Sequence, residues 1–292
     1  MRCSVLWLLL ALCAASPEAQ GQTTGNSVAY GPALPEDGIF LVEASVHQSL
    51  EVTLTRMLGR ELGSPLAQVA KRVVIWWLDP RRDLRAGDAL TIAYSRNEDE
   101  EPIIHALWLD SQKVGSFEAM LFKAQASPWP RHFDRQGLEI EARLKGTPIE
   151  SYEQVTSLLG DGRGHKGVDF KAPVGTPILA TFDGAVARRN WSTRSNGRCL
   201  ELIGDDGMRA YYLHLERASV KPGERVRTGD VIGTSGNTGR STAPHLHYQL
   251  MNEAGRVVDP YRYHSTHRRK LPATERPEFE RAWARFEDLR SR

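Results

Sequence analysis

The sequence predicts two folded regions of different class: an α+β domain over residues 39–145, then an all-β domain over residues 150–263. Three observations predict this. Helical periodicity marks the early part of the first region and the tail. Short β-branched runs, broken by Gly, Pro and Asp at close intervals, fill the second. The 292 residues are also enough for about two domains. Composition is that of a globular protein, with 40% hydrophobic and 25% charged residues. Lys+Arg number 38 against Asp+Glu 36, a formal net charge of +2, and such a balance gives no ground for a nucleic-acid partner.

Residues 1–21 read as an export signal. Arg2 precedes a short apolar run from Val5 to Ala15, small residues follow, and Ala19-Gln20-Gly21 offers a cleavage site. The run is too short to span a bilayer comfortably. Cys13 raises a lipoprotein alternative, against which stands Leu12 where a small residue is expected. Cys3 and Cys13 both fall in the signal, so the exported chain is expected to keep only Cys199 and to form no intramolecular disulfide. Cys199 sits in a strand-like run and reads as a buried structural thiol. Residues 22–38 lack periodicity and read as a linker.

Within 39–145, Val46 to Glu61 carries Leu50, Val52, Leu54, Met57 and Leu58 at helical spacing. Ala67 to Trp77 predicts a second helix, ended by Asp79-Pro80. Leu84 to Tyr94 reads as a turn into a strand, and Ile103–Leu109 and Ala119–Lys123 as further strands. From about residue 150, strands are expected at Thr176–Thr181, Gly184–Arg189, Cys199–Ile203, Arg209–His214, Val231–Thr234 and His245–Met251. Asp183-Gly184 and Asp206-Gly207 are hairpin-type turn signals. The tail, residues 264–292, is highly charged. Phe279, Trp283, Phe286 and Leu289 within it predict an amphipathic helix that packs on its own domain or docks on a partner.

The chemistry lies in two words of the second region. His165-Lys166-Gly167-Val168-Asp169 is an early H-x-x-x-D, and His245-Leu246-His247 is a late H-x-H. Zinc favours imidazole and carboxylate ligands, and a catalytic zinc keeps one position open for water. Residues two or four apart on an extended strand share a face. His245 and His247 would then point one way, and so would His165 and Asp169, with Val168 and Phe170 turned to a core. Three protein ligands and a water make a hydrolase. If His165, Asp169 and His247 bind zinc, His214 and His245 remain for proton transfer and oxyanion stabilisation.

The stretch from His165 to Tyr261, about a third of the chain, resembles the lysostaphin-type (LytM) zinc endopeptidases, which cut peptide crosslinks of bacterial cell walls. The matching words are His165-Lys166-Gly167-Val168-Asp169-Phe170, Ala172-Pro173-Val174-Gly175-Thr176-Pro177, Asp183-Gly184, Tyr212-Leu213-His214-Leu215, Gly229-Asp230-Val231-Ile232-Gly233, the run from Gly236 to Tyr248, and Asp259-Pro260. The resemblance implies an all-β antiparallel catalytic domain with an open groove and one zinc ion. It implies that His165, Asp169 and His247 bind the metal and that His214 and His245 flank the scissile carbonyl.

Trp77-Leu78-Asp79-Pro80, Leu84 to Asp88 and Phe133 to Leu138 resemble the accessory domain of Gram-negative murein D,D-endopeptidases, in which such a domain covers the groove or docks on a regulatory protein. The implied substrate is the peptidoglycan crosslink between D-Ala and meso-diaminopimelate, in the periplasm. One departure stands out. Those relatives carry an extra loop between the Thr-Ser step and the zinc histidine, whereas here Thr156 to Gly164 runs almost straight into His165. A rival reading is a non-catalytic adaptor that activates a wall amidase. Adaptors of this family have lost zinc ligands, while all three ligand positions and both further histidines are present here.

Overall fold

A computed structural model describes residues 38–161 and 164–291. The expected export signal, and all of the expected linker but Gly38, lie outside the described residues. The order begins β1 (Phe40–Ser45), α1 (Leu50–Val74), β2 (Ala89–Arg96), β3 (Pro102–Ser111), β4 (Gly115–Phe122) and β5 (Arg131–Phe133). These strands make a five-stranded sheet in sequence order, antiparallel throughout.

The helical element begins at Leu50, where the Ser49 side chain accepts from the Val52 amide, and not at Val46 as the periodicity suggests. It is not straight. Gly59 has φ 76°, a left-handed geometry that glycine adopts without steric cost. Gln68 Nε2 lies 3.3 Å from Glu51 Oε2. Seventeen residues of straight helix would hold these groups about 25 Å apart, so the element folds back on itself. Gly63 lies at the contact, because a Cβ there would sit 2.3 Å from the Leu54 carbonyl oxygen. The second arm thus starts near residue 60, ahead of the Ala67 that periodicity suggests.

Both faces of this sheet are covered. Ile92, Leu107, Leu109 and Ala119 face a core shared with α1 residues Leu54, Leu66 and Val74. Their strand neighbours Ala93, Ala106, Trp108 and Met120 face the other way. There they meet Phe279, Trp283, Phe286 and Leu289 of the C-terminal helix.

The remaining elements are β6 (Arg143–Leu144), β7 (Gln154–Ser157), β8 (Val168–Lys171), β9 (Pro177–Leu179), β10 (Gly184–Arg189), α2 (Thr193–Asn196), β11 (Arg198–Gly204) and β12 (Arg209–Ala218). They continue with β13 (Arg225–Val226), β14 (Val231–Ser235), β15 (His245–Met251), β16 (Val257–Val258), α3 (Pro260–Tyr263), β17 (Thr266–His267) and α4 (Arg276–Ser291). A ten-stranded sheet runs β13-β10-β11-β12-β15-β8-β7, with β14 bridging β12 to β9 and β16 on β15. Every pairing in it is antiparallel. Asp206-Gly207 forms the tight turn between β11 and β12, where Gly207 has φ 80°. Asp183-Gly184 is no hairpin: it joins β9 to β10, and β10 pairs instead with β11 and β13.

The C-terminal tail takes a route that periodicity does not reveal. β17 pairs with β6, and Leu271 N donates to Gly137 O at 2.8 Å, so the chain runs back along residues 137–145. α4 then lands on the first sheet and not on the sheet that precedes it. Its apolar stripe is buried there, which leaves only its charged face for a partner. Cys199 is a free, fully buried thiol, as its strand setting suggests.

Candidate metal centre

Asp169 and His247 meet through sheet register. β8 and β15 are antiparallel neighbours in which Asp169 pairs directly with His247. Side chains of such a pair stand next to each other on one face. Val168 and Phe170 point to the core on the opposite face, and so does Leu246; all three are essentially fully buried. These are the apolar partners that alternation demands.

His165 arrives differently. An extended stretch from His165 to Asp169 is not what forms, since β8 begins only at Val168 and His165 lies in the turn before it. The turn is pinned by Gly160 N donating to His165 O at 2.8 Å. His165 Nε2 comes to 3.1 Å from Asp169 Oδ2 and 3.1 Å from His247 Nδ1, and His247 Nδ1 lies 2.8 Å from Asp169 Oδ1. Tetrahedral zinc ligands at their usual bond lengths lie about 3.3 Å apart. Two imidazole nitrogens and one carboxylate at these separations fit that donor set. Among the described residues, His165, Asp169 and His247 form a group able to hold a metal ion.

The outer nitrogen of His165 is held as ligation requires. His165 Nδ1 lies 3.1 Å from Leu158 O and 3.2 Å from Ser157 Oγ. A carbonyl can only accept, so the Nδ1 proton points to it and Nε2 keeps its lone pair for the metal. Gly167 is needed beside His247. A Cβ there would lie 2.4 Å from Tyr248 O and 2.8 Å from His247 Nε2.

Charge is matched at the centre. Burial disfavours the Asp169 carboxylate, but the adjacent His165 and His247 imidazoles outweigh it and hold the group well below the usual carboxylate range. Burial likewise works against a charged His165, and Asp169 overcomes it, raising the imidazole above its ordinary value.

His245 and His214 flank the group. His245 Nε2 is 3.8 Å from Asp169 Oδ1, while its Nδ1 is 2.8 Å from Ala243 O. The His214 and His245 ring centroids are 4.8 Å apart. His214 has φ 63°, rare for a residue with a side chain. It sits where β12 changes partner: Leu213 pairs with His247 on β15, and Leu215 with Ser235 on β14. This irregularity re-aims the ring, whose Nδ1 is 2.9 Å from Thr238 O. Burial holds its pKa below the ordinary imidazole value. All five histidine and aspartate positions singled out in the sequence are therefore brought into one neighbourhood. Sequence reasoning missed the carbonyls of Thr238, Ala243 and Leu158, which no residue type announces. It also missed Ser157 and Asp161.

Residues 163–260 match the description Peptidase family M23. The peptidoglycan DD-endopeptidase ShyC of Vibrio cholerae is 32% identical over 193 residues, covering 60% of this chain and 42% of the relative. Lysostaphin of Staphylococcus simulans is 46% identical over 92 residues, 31% of this chain and 19% of the relative. A crystal structure of a zinc-containing peptidase from Vibrio cholerae matches at 27% identity over 76% of this chain and 69% of that one, with a TM-score of 0.37. The chain spans less than half the length of these two curated relatives. The match covers about a third of the chain and encloses His165, Asp169, His214, His245 and His247, so residues 163–260 are similar to Peptidase family M23.

Proposed function

We propose that the chain is an exported, zinc-dependent endopeptidase that hydrolyses peptide crosslinks of peptidoglycan, at the bond from D-Ala to meso-diaminopimelate, during periplasmic wall remodelling. Residues 150–263 form its catalytic unit, and residues 39–145 with α4 its accessory unit, through which a wall regulatory protein would dock. The observation that carries this reading is the convergence of two imidazole nitrogens and a carboxylate within 3.1 Å of one another, flanked by two further imidazoles.

His165 Nε2, Asp169 and His247 Nδ1 would hold the zinc. Bound there, zinc supplies Lewis acidity toward the scissile carbonyl and acidifies an attacking water. The flanking histidines move the protons. Each has its Nδ1 hydrogen directed at a backbone carbonyl, so Nε2 is the nitrogen that can accept a proton. One accepts the proton of the attacking water, and the resulting imidazolium can donate to the oxyanion or to the departing amine. Burial keeps His214 neutral and so ready to accept. Similarity to relatives named as peptidoglycan DD-endopeptidases supports the substrate.

Mass-resolved digestion of crosslinked diaminopimelate-type peptidoglycan, with and without a zinc chelator, tests the proposal. Chelator-sensitive conversion of crosslinked dimers to monomers is the expected result. Zinc-loaded protein that leaves dimers intact while cutting another bond would refute the assigned substrate.

A further inference from the structure

The connection between β7 and β8 carries a polar chain that leads out of the metal centre to the helical arm of the other unit. His165 Nδ1 approaches Ser157 Oγ at 3.2 Å, and Ser157 Oγ donates to Asp161 Oδ2 at 2.8 Å. The second oxygen of that carboxylate, Oδ1, receives Lys71 Nζ of α1 at 2.7 Å. The directions are forced. Because the serine proton goes to the carboxylate, Ser157 Oγ can only accept, and it shares the His165 Nδ1–H with the Leu158 carbonyl. That is the tautomer that leaves Nε2 free to ligate. Lys71 Nζ and Ser157 Oγ thus meet different oxygens of the Asp161 carboxylate.

The ion pair is shielded, with Lys71 and Asp161 side chains 30% and 20% exposed, and Arg72 adds a second positive charge in the field of Asp161. The two units are also in register around it. Trp76, just beyond α1, packs edge-on against Tyr261 at 5.3 Å and its carbonyl accepts from Arg268. The arm bearing Lys71 is therefore fixed against the site it reaches.

We propose that Lys71 is a positioning residue of the metal centre, acting through Asp161 and Ser157 on the His165 imidazole. It follows that the accessory unit helps to build the zinc site. This inference rests on the zinc-peptidase reading above, since its object is the affinity of that site for zinc.

The test is zinc affinity of the full chain, measured by competition with a chromophoric chelator. Thermal unfolding of the zinc-free proteins controls for folding. Groups that orient a ligand typically change metal affinity by about 10–100-fold, and the shared Leu158 carbonyl places this chain at the lower end. Asp161→Asn is expected to weaken zinc binding about 10-fold, and Lys71→Met about 3-fold, with unchanged unfolding midpoints. Lys71→Met should add nothing in the Asp161→Asn background, and Lys71→Arg should restore the wild-type constant. If Lys71→Met unfolds the chain, Lys71→Gln replaces it.

An unchanged constant in the Lys71 variant, or effects that simply add, overturns the proposal while tight wild-type binding keeps the zinc reading intact. A wild-type chain with no measurable zinc affinity overturns both.

Discussion

The two sheets of this protein bury themselves in opposite ways. The five-stranded sheet is covered on one face by the folded-back α1 and on the other by α4, so alternate residues of β3 such as Leu107 and Trp108 feed two different cores. The ten-stranded sheet sends Val168, Phe170 and Leu246 into a core and turns Asp169 and His247 out of it. A strand covered on both faces has no position left for chemistry. One with a single apolar face can present ligands every second residue.

Substitutions can test this contrast. The largest effect is expected on the face that bears the site. His247→Ala removes a ligand and should abolish both zinc binding and crosslink cleavage. His214→Ala should retain zinc and lose about 10²–10³ in turnover, as for loss of one transition-state group. Metal content and single-substrate kinetics on the two variants separate the roles, and zinc loss in His214→Ala would erase the distinction.

An intermediate effect is expected where both faces are covered. Trp283 on α4 is fully buried against the first sheet. Trp283→Ala should cost about 3–5 kcal/mol of stability, while zinc affinity stays within about twofold in native protein, well under the change expected for a ligand-orienting group. Denaturant unfolding and chelator competition check the two halves of that statement. A large loss of zinc affinity would show that α4 supports the site.

The smallest effect depends on pH. His132 on β5 is half-buried at the edge of the first sheet, with burial lowering its pKa from the ordinary 6.5 to about 4. Its Nε2 lies 2.9 Å from Ile104 O. Above pH 6.5 neither folded nor unfolded chain binds this proton, and stability is unaffected. As pH falls from 6.5 toward 4, the unfolded chain binds it first, so stability is lost. The loss should reach roughly 2.5 kcal/mol near pH 4.5. Unfolding curves at pH 7 and 4.5 should differ less by that amount in His132→Gln, and an unaltered pH dependence would rule out His132 as the source.

Much of the site was legible because its words are local. His165-x-x-x-Asp169 and His245-x-His247 carry ligand chemistry in residue types, and the alternation in Val168-Asp169-Phe170 tells which side faces the core. β10 and β15 follow their expected bounds for the same reason, period-2 runs between turn residues. β1 was not legible, since Phe40–Ser45 is a half-exposed edge strand with weak alternation. Nor was the return of α1 at Gly59, because one left-handed glycine reverses a helix without disturbing the periodicity on either side.

The sequence by itself determined the ligand types, the alternation that separates core from site and the amphipathic stripe of α4, because each depends on neighbours within a few residues. Tertiary structure alone decided that Asp169 pairs with His247, that His214 takes a left-handed bend and that α4 covers the first sheet. It also decided that Lys71 reaches Asp161. Those outcomes depend on strand register and on packing between distant segments, and the free energy of such contacts belongs to pairs of residues that no local pattern brings together.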